Sequence, residues 1–206
     1  MTRIGVLGGT FDPPHIGHLV LAEYAGDALG LSQVLFVPAA DPPHKRNQTR
    51  VSADHRIAMV QAAIADNARL VLSRVDVDRP GPHYTVDMLP IISAQYPDAE
   101  LYFLMGGDSF RDLPKWHRPQ EMIQFCKLGV MARPYPNQSD WDLHPDMHDK
   151  VIPGLSNCVT MIEAPLLDIA AREIVERMHE RKTVRYLVPD PVLDYIKAHG
   201  LYKDSD

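Results

Sequence analysis

The sequence predicts an α/β fold: a doubly wound, mostly parallel sheet with a small C-terminal helical part. Three observations predict it. Short runs that are apolar throughout alternate with helix-like segments, the pattern of strands covered on both faces and joined by crossover helices. The first run opens into a glycine turn and then a helix, the place where α/β proteins hold phosphate. The polar signals gather after the strands, where open α/β sheets bind their ligands.

The elements follow in order. Residues 4–7 read as the first buried strand, followed by Gly8-Gly9-Thr10-Phe11-Asp12-Pro13-Pro14-His15-Ile16-Gly17-His18 and a helix that Gly30 and Leu31 close. Residues 34–37 form a second strand, parallel to the first because a helix joins them. A polar loop with Pro42, Pro43, His44, Lys45 and Arg46 leads to Ser52, a plausible N-cap for a helix over 53–65. Ile57, Val60 and Ile64 mark the apolar stripe of that helix, broken only by Gln61. Residues 70–77 read as a third strand, Gly81-Pro82-His83-Tyr84 as a turn, and Thr85 as the cap of a helix containing Pro90. Strands at 101–105 and 127–132 end in Gly106-Gly107-Asp108 and in Arg133-Pro134. Residues 134–157 are polar and Pro-rich, with one short helix at most. A short strand at 159–162, a helix over 169–180, and a last helix from Asp190-Pro191 to Gly200 complete the chain.

The totals set bounds. With 206 residues, 45% hydrophobic and 23% charged, the chain predicts one domain, a core over about 1–165 and a helical segment over about 166–206. A net charge of −6 argues against broad binding to nucleic acid or to an anionic membrane. Two cysteines, Cys126 and Cys158, lack metal-like spacing and suit two inert thiols in a reducing cytoplasm. No apolar run is long enough to span a bilayer, and the N-terminus reads as a strand rather than a signal peptide.

The stretch at 8–18 carries the chemistry. Gly8 and Gly9 lack a Cβ, so backbone can approach a ligand closely. Pro13 and Pro14 fit a helix start. His15 and His18, three apart, then share one face near the positive helix end, where two imidazoles and unpaired N–H groups point at one anion. As a metal pair they would need a third ligand, and none is evident. His44, Lys45 and Arg46 are adjacent donors that suit phosphate, although loop charges are often only solvated. Arg56 reads equally well as a surface helix arginine. His144 and His148, with Asp142, Asp146 and Asp149, read as a polar excursion rather than a metal site.

The motif at 8–18 resembles the nucleotidyltransferases marked by H-x-G-H. Over nearly its whole length the chain is similar to the bacterial nicotinate-mononucleotide adenylyltransferases. The supporting residues are Val37-Pro38 with Pro42-Pro43-His44-Lys45, Tyr84-Thr85, Gly107-Asp108-Ser109, Trp116, Arg133-Pro134 and Val188-Pro189-Asp190-Pro191-Val192. The resemblance implies a Rossmann-like fold and transfer of AMP from ATP to nicotinate mononucleotide, and the chemistry leads one to expect Mg²⁺ on the triphosphate, with no protein cage for it visible. It implies His15 and His18 as catalytic residues and Gly8, Gly9, Thr10, Phe11, Gly17, Gly107 and Asp108 around ATP. His44, Lys45 and Arg46 would hold phosphate, and Tyr84, Thr85, Trp116 and Arg133 would surround the nicotinate. A family serine beside the carboxylate is His83 here. The family's second motif, close to I-S-S-T-x-I-R, reads Ile169-Ala170-Ala171-Arg172-Glu173-Ile174-Val175. Three hydroxyls and an arginine are missing from it, and Arg172 is the candidate to carry the lost charge. The alternatives are an adenylyltransferase for another phosphate-bearing acceptor, such as nicotinamide mononucleotide or phosphopantetheine, and a catalytically impaired nucleotide-binding homologue.

Overall fold

The computed structural model describes residues 1–40, 51–131, 143–165 and 167–203. Its centre is a six-stranded sheet in the order β3-β2-β1-β4-β5-β6, built from β1 (Thr2–Gly9), β2 (Gln33–Pro38), β3 (Leu70–Leu72), β4 (Ala99–Gly106), β5 (Lys127–Met131) and β6 (Val159–Ile162). Every pairing is parallel, so the mostly parallel doubly wound sheet expected from the sequence is fully parallel here. This is the Rossmann-like strand order, and its direction reverses between β1 and β4.

Alternating residues of each strand feed two cores. Leu7 and Phe36 pack with Leu21 and Ala25 of α1 (Ile16–Leu29) and Val60 of α2 (Ala53–Ile64). Ile174 of α6 (Ala171–His179) and Val192 and Ile196 of α7 (Asp190–His199) join that same core. On the opposite face Val6, Val37 and Phe103 pack against Leu89 and Ile92 of α3 (Thr85–Gln95) and Phe110 of α4 (Gly107–Asp112). A short α5 (Pro119–Met122) leads into β5.

Several elements differ from the sequence reading. Pro13 and Pro14 precede α1, whose N-cap is His15. β3 stops at Leu72, because the chain turns where the Arg74 carbonyl accepts the N–H groups of Val77 and Asp78. In α2, Gln61 is exposed as the pattern has it, and the buried face is wider than the stripe read from the sequence, with Arg56, Met59 and Ala63 added. Thr85 is the first residue of α3 rather than its cap, which is Tyr84. α6 begins at Ala171, two residues later than predicted. Ser52 does cap α2, its hydroxyl accepting from the His55 N–H, and Gly30 closes α1 in the left-handed conformation at φ 63°. His148 is buried and hydrogen-bonded to the Phe110 carbonyl at 2.8 Å, and Asp149 accepts from Ser156.

Candidate active site

The sheet splits where its strand order reverses. β1 pairs with β4 only as far as Val6 and Phe103. Beyond that point residues 7–9 pair with β2 alone, and residues 104–106 pair with β5 alone. The two strand ends therefore diverge into a crevice at the switch point, the position where α/β sheets take ligands. Gly8 and Gly9 line one side of the split, and Gly107 and Asp108 start α4 on the other.

The loop from β1 to α1 folds tightly over this crevice. Phe11 has a left-handed backbone, φ 51°, and its buried ring meets the edge of His18 with centroids 4.9 Å apart. A Cβ on Gly9 would lie 3.1 Å from that ring, and one on Gly17 would lie 3.1 Å from the His15 imidazole. Both glycines thus make room for neighbouring rings, a different reason from the ligand approach read in the sequence. The His15 and His18 rings stack at 3.7 Å with 29° between their planes. The His15 N–H donates to His18 Nδ1 at 3.1 Å. In a neutral ring that leaves the proton on Nε2 and makes Nε2 the donor.

The start of α1 is less open than its sequence suggests. The Ile16 N–H is taken by the Leu187 carbonyl at 2.9 Å, and the His15 N–H by His18. The first turn carries no acidic side chain, so the positive helix end is not neutralised there.

Arg56 is not a surface residue. It is 2% exposed and reaches four backbone carbonyls: Val51 at 3.1 Å, Thr10 at 2.7 Å, Ala39 at 2.8 Å and Ala40 at 3.1 Å. One guanidinium therefore ties the loops after β1 and β2 to α2. On the other flank of Phe11, the Tyr202 hydroxyl donates to Asp12 Oδ1 at 2.5 Å. Burial and the nearby Asp12 carboxylate push the Tyr202 hydroxyl far up from its ordinary pKa.

A cleft of about 450 Å³ opens between the starts of α3 and α4. It brings together Tyr84, Thr85, Asp108 and Trp116, which the sequence reading had assigned to the site separately, and adds Lys115 and His117. Trp116 is half-buried, edge-on to Phe103, and the Tyr84 ring stacks on His117 at 4.2 Å. Tyr84 caps α3 with no side-chain cap hydrogen bond. Its carbonyl and that of Pro82 accept from Arg79, which also pairs with Asp76 at 2.7 Å. Burial raises the Asp76 carboxyl above its ordinary pKa against the pull of Arg79. His83 also lines the cleft, its Nε2 lying 3.2 Å from the Arg79 carbonyl. Asp108 lies in the first turn of α4 and pairs with Arg111 at 3.3 Å.

The second motif starts beside the first: a Cβ on Gly17 would lie 3.9 Å from Ile169 Cβ. Arg172 is 81% exposed and pairs with Glu176 at 3.5 Å. Arg177 donates twice to the Thr183 carbonyl. His44, Lys45, Arg46 and Arg133 lie outside the described residues. Among the described residues no group of three or more His, Cys, Asp or Glu is arranged to hold a metal ion, and no helix is long and apolar enough to cross a membrane.

Arg56, Arg79, Tyr202 and Leu187 were not assigned to the site from the sequence. Their partners are mostly backbone carbonyls and amides, which carry no residue signature.

Comparison with known proteins places the chain in a family. Residues 6–185 match the cytidylyltransferase-like family model. A protein of Thermomicrobium roseum named "probable nicotinate-nucleotide adenylyltransferase" is 45% identical over 98% of this chain and 92% of its own. One of the same name from Lactiplantibacillus plantarum is 37% identical over 99% of this chain and 90% of its own. The Plasmodium falciparum nicotinic acid mononucleotide adenylyltransferase, solved with NaAD, shares the fold with a TM-score of 0.79 at 17% identity, covering 98% of each chain. The chain is thus a member of the cytidylyltransferase-like family and, within it, belongs to the nicotinate-nucleotide adenylyltransferases.

Proposed function

We propose that the protein transfers AMP from ATP to nicotinate mononucleotide, giving deamido-NAD and pyrophosphate, with residues 1–206 acting as one nucleotidyltransferase unit. The observation that carries this reading is the convergence of two independent sites on the switch point. The histidine-bearing start of α1 follows β1, and the cleft holding Tyr84, Thr85 and Trp116 includes Asp108, which follows β4, the two strands whose ends part.

The chemistry follows from the groups present. An acceptor phosphate is already an anion, so no strong base is required. Its oxygen attacks the α-phosphorus in line, the new O–P bond forms, and the α–β bridging bond breaks with its electron pair leaving on pyrophosphate. What needs help is the charge growing on the α-phosphate and the leaving group. We assign His18 Nε2–H to the α-phosphate oxygens and the stacked His15 to holding that ring. Gly8, Gly9, Thr10, Phe11 and Gly17 shape the loop around the nucleotide, with Gly107 and Asp108 on the ribose side. Bound with the triphosphate, Mg²⁺ would supply charge neutralisation on the phosphates. Asp108 is engaged with Arg111, and no protein cage is assigned to the ion.

Acceptor choice falls to the second cleft. The start of α3 presents backbone N–H groups that no side chain caps, and these suit a carboxylate. Trp116 supplies an aromatic face for the pyridine ring. Arg133, His44, Lys45 and Arg46 keep their family assignments as proposals, as does Arg172 for the triphosphate. The free, buried Cys126 thiol, its pKa pushed up to about 12 by burial, suits a cytoplasmic setting.

The test is pyrophosphate release by the purified protein given ATP with nicotinate mononucleotide, nicotinamide mononucleotide or phosphopantetheine. Turnover with the first is expected. Preference for either other acceptor, or ATP binding without turnover, overturns the reading.

A further inference from the structure

The loop between β1 and α1 is anchored from both sides of one strained residue. Phe11 carries a Cβ yet sits at φ 51°, a conformation that persists only where the surroundings impose it. Its ring is wedged between Phe36, centroids 5.6 Å apart, and the edge of His18. The backbone conformation of Phe11 therefore sets what the His18 imidazole packs against. The residue before it, Thr10, is fixed through its carbonyl by Arg56. The residue after it, Asp12, is fixed through its carboxylate by Tyr202, 190 positions along the chain.

Tyr202 is itself held in a demanding geometry. The chain leaves α7 through Gly200 at φ 62°, the Leu201 N–H bonds to the Ile196 carbonyl, and Tyr202 follows at φ 59°. A tyrosine in a left-handed conformation is uncommon, and here the turn aims its hydroxyl at the active-site loop. The hydroxyl remains a donor through the neutral range, since burial and Asp12 both raise its pKa.

We infer that Tyr202 is a positioning residue for nucleotidyl transfer: by donating to Asp12 it holds Phe11 in place and so fixes the His18 imidazole that faces the α-phosphate. The inference rests on the role assigned to His18 above. Tyr202 does not touch the reacting atoms. Its effect passes through Asp12 and Phe11.

Tyr202→Phe removes the hydroxyl and keeps the ring. The expected result is a kcat about tenfold lower, the loss of one charge-assisted hydrogen bond, with KM for ATP and for nicotinate mononucleotide within about twofold. The ring ¹⁵N resonances of His18 should shift in the free protein. Asp12→Ala should reproduce both effects, and the double variant should be no worse than either single one. Unchanged kcat, unchanged His18 resonances, or additive losses in the double variant would each overturn the inference while leaving the adenylyltransferase reading intact. A wild-type protein that releases no pyrophosphate with any acceptor would overturn both.

Discussion

Arg56→Met tests how much the loops at the carboxyl end of the sheet depend on one cation. The substitution keeps most of the buried volume and removes the guanidinium. Four carbonyls then lose their donor: Val51, Thr10, Ala39 and Ala40. A hydrogen bond to a charged group contributes about 1.5–3 kcal/mol net, so a simple sum over the four reaches about 6–12 kcal/mol. The four share one cation, and Thr10, Ala39 and Ala40 lie in loops that water can enter once the side chain is gone. A loss of about 4 kcal/mol is therefore expected, about 1 kcal/mol for each carbonyl left without its donor. For a chain of this length each 1 kcal/mol shifts Tm by about 2–4 °C, which predicts a fall of about 8–16 °C. Urea unfolding followed by circular dichroism measures the same quantity as a lower midpoint with an unchanged slope. Arg56→Lys should recover less than half, because an ammonium cannot span carbonyls on two loops as the planar fork does. A surface helix arginine would cost within about 0.5 kcal/mol. A measured loss below about 1 kcal/mol would refute the buried tie.

Three other outcomes are expected. His18→Ala should lower pyrophosphate release roughly 10²–10³-fold with its circular dichroism spectrum unchanged, the scale for losing one donor to a developing oxyanion; a loss below about threefold would remove His18 from the chemistry. Arg172→Ala should raise KM for ATP severalfold and leave KM for the acceptor unchanged. Its exposed pair with Glu176 contributes at most about 0.5 kcal/mol, so Tm should hold, and unaltered kinetics would remove Arg172 from the triphosphate grip. Glu100→Gln tests a charge cluster where β1, β4 and β5 begin. Lys127, hydrogen-bonded to Glu100 and followed by Tyr102, holds that carboxyl below its ordinary range. A carboxyl that ionises more readily folded than unfolded adds stability above its unfolded pKa and loses it as pH falls through the folded value. Wild type should exceed the variant by about 0.5–1 kcal/mol at neutral pH, and the difference should vanish toward about pH 3. A gap that persists in acid would refute the assignment.

Local patterns carried most of the fold. Strands that are apolar throughout, such as residues 34–37, announce burial on both faces, and a glycine turn before a helix announces the phosphate end of the sheet. Where sequence pattern and structure differ, the cause is shared: residue type suggests one role and the backbone decides another. Val71, Val75 and Val77 favour a strand by type, yet the Arg74 carbonyl takes two N–H groups and turns the chain. Thr85 is a good capping residue, but Tyr84 occupies the cap because Arg79 holds its carbonyl. From its sequence Arg56 reads as a phosphate candidate or a surface helix arginine, and its structural role is hidden because its acceptors at Thr10 and Ala39 are carbonyls 46 and 17 positions away that any residue could supply. The cleft residues were legible one by one through family resemblance. Their convergence was not, because it depends on where β1 and β4 stop pairing.

The altered second motif need not mean a weakened grip on the triphosphate. Replacing hydroxyl residues by Ala170 and Ala171 removes side-chain donors, but these residues stand at the very start of α6, where Ala170 is the N-cap and makes no side-chain cap hydrogen bond. A hydroxyl in that position commonly accepts from the helix's own first N–H groups. With alanine there, those N–H groups remain available as donors, and the helix end keeps its partial positive charge. The start of this helix lies against the start of α1, with Ile169 beside Gly17. The beginnings of the two helices thus adjoin, but the first turn of α6 also carries Glu173, and Arg172 beside it is 81% exposed and paired with Glu176. The triphosphate grip proposed for Arg172 therefore requires its side chain to leave Glu176 and stand in for the arginine that is Val175 here, with backbone N–H groups of α6 replacing the missing hydroxyls.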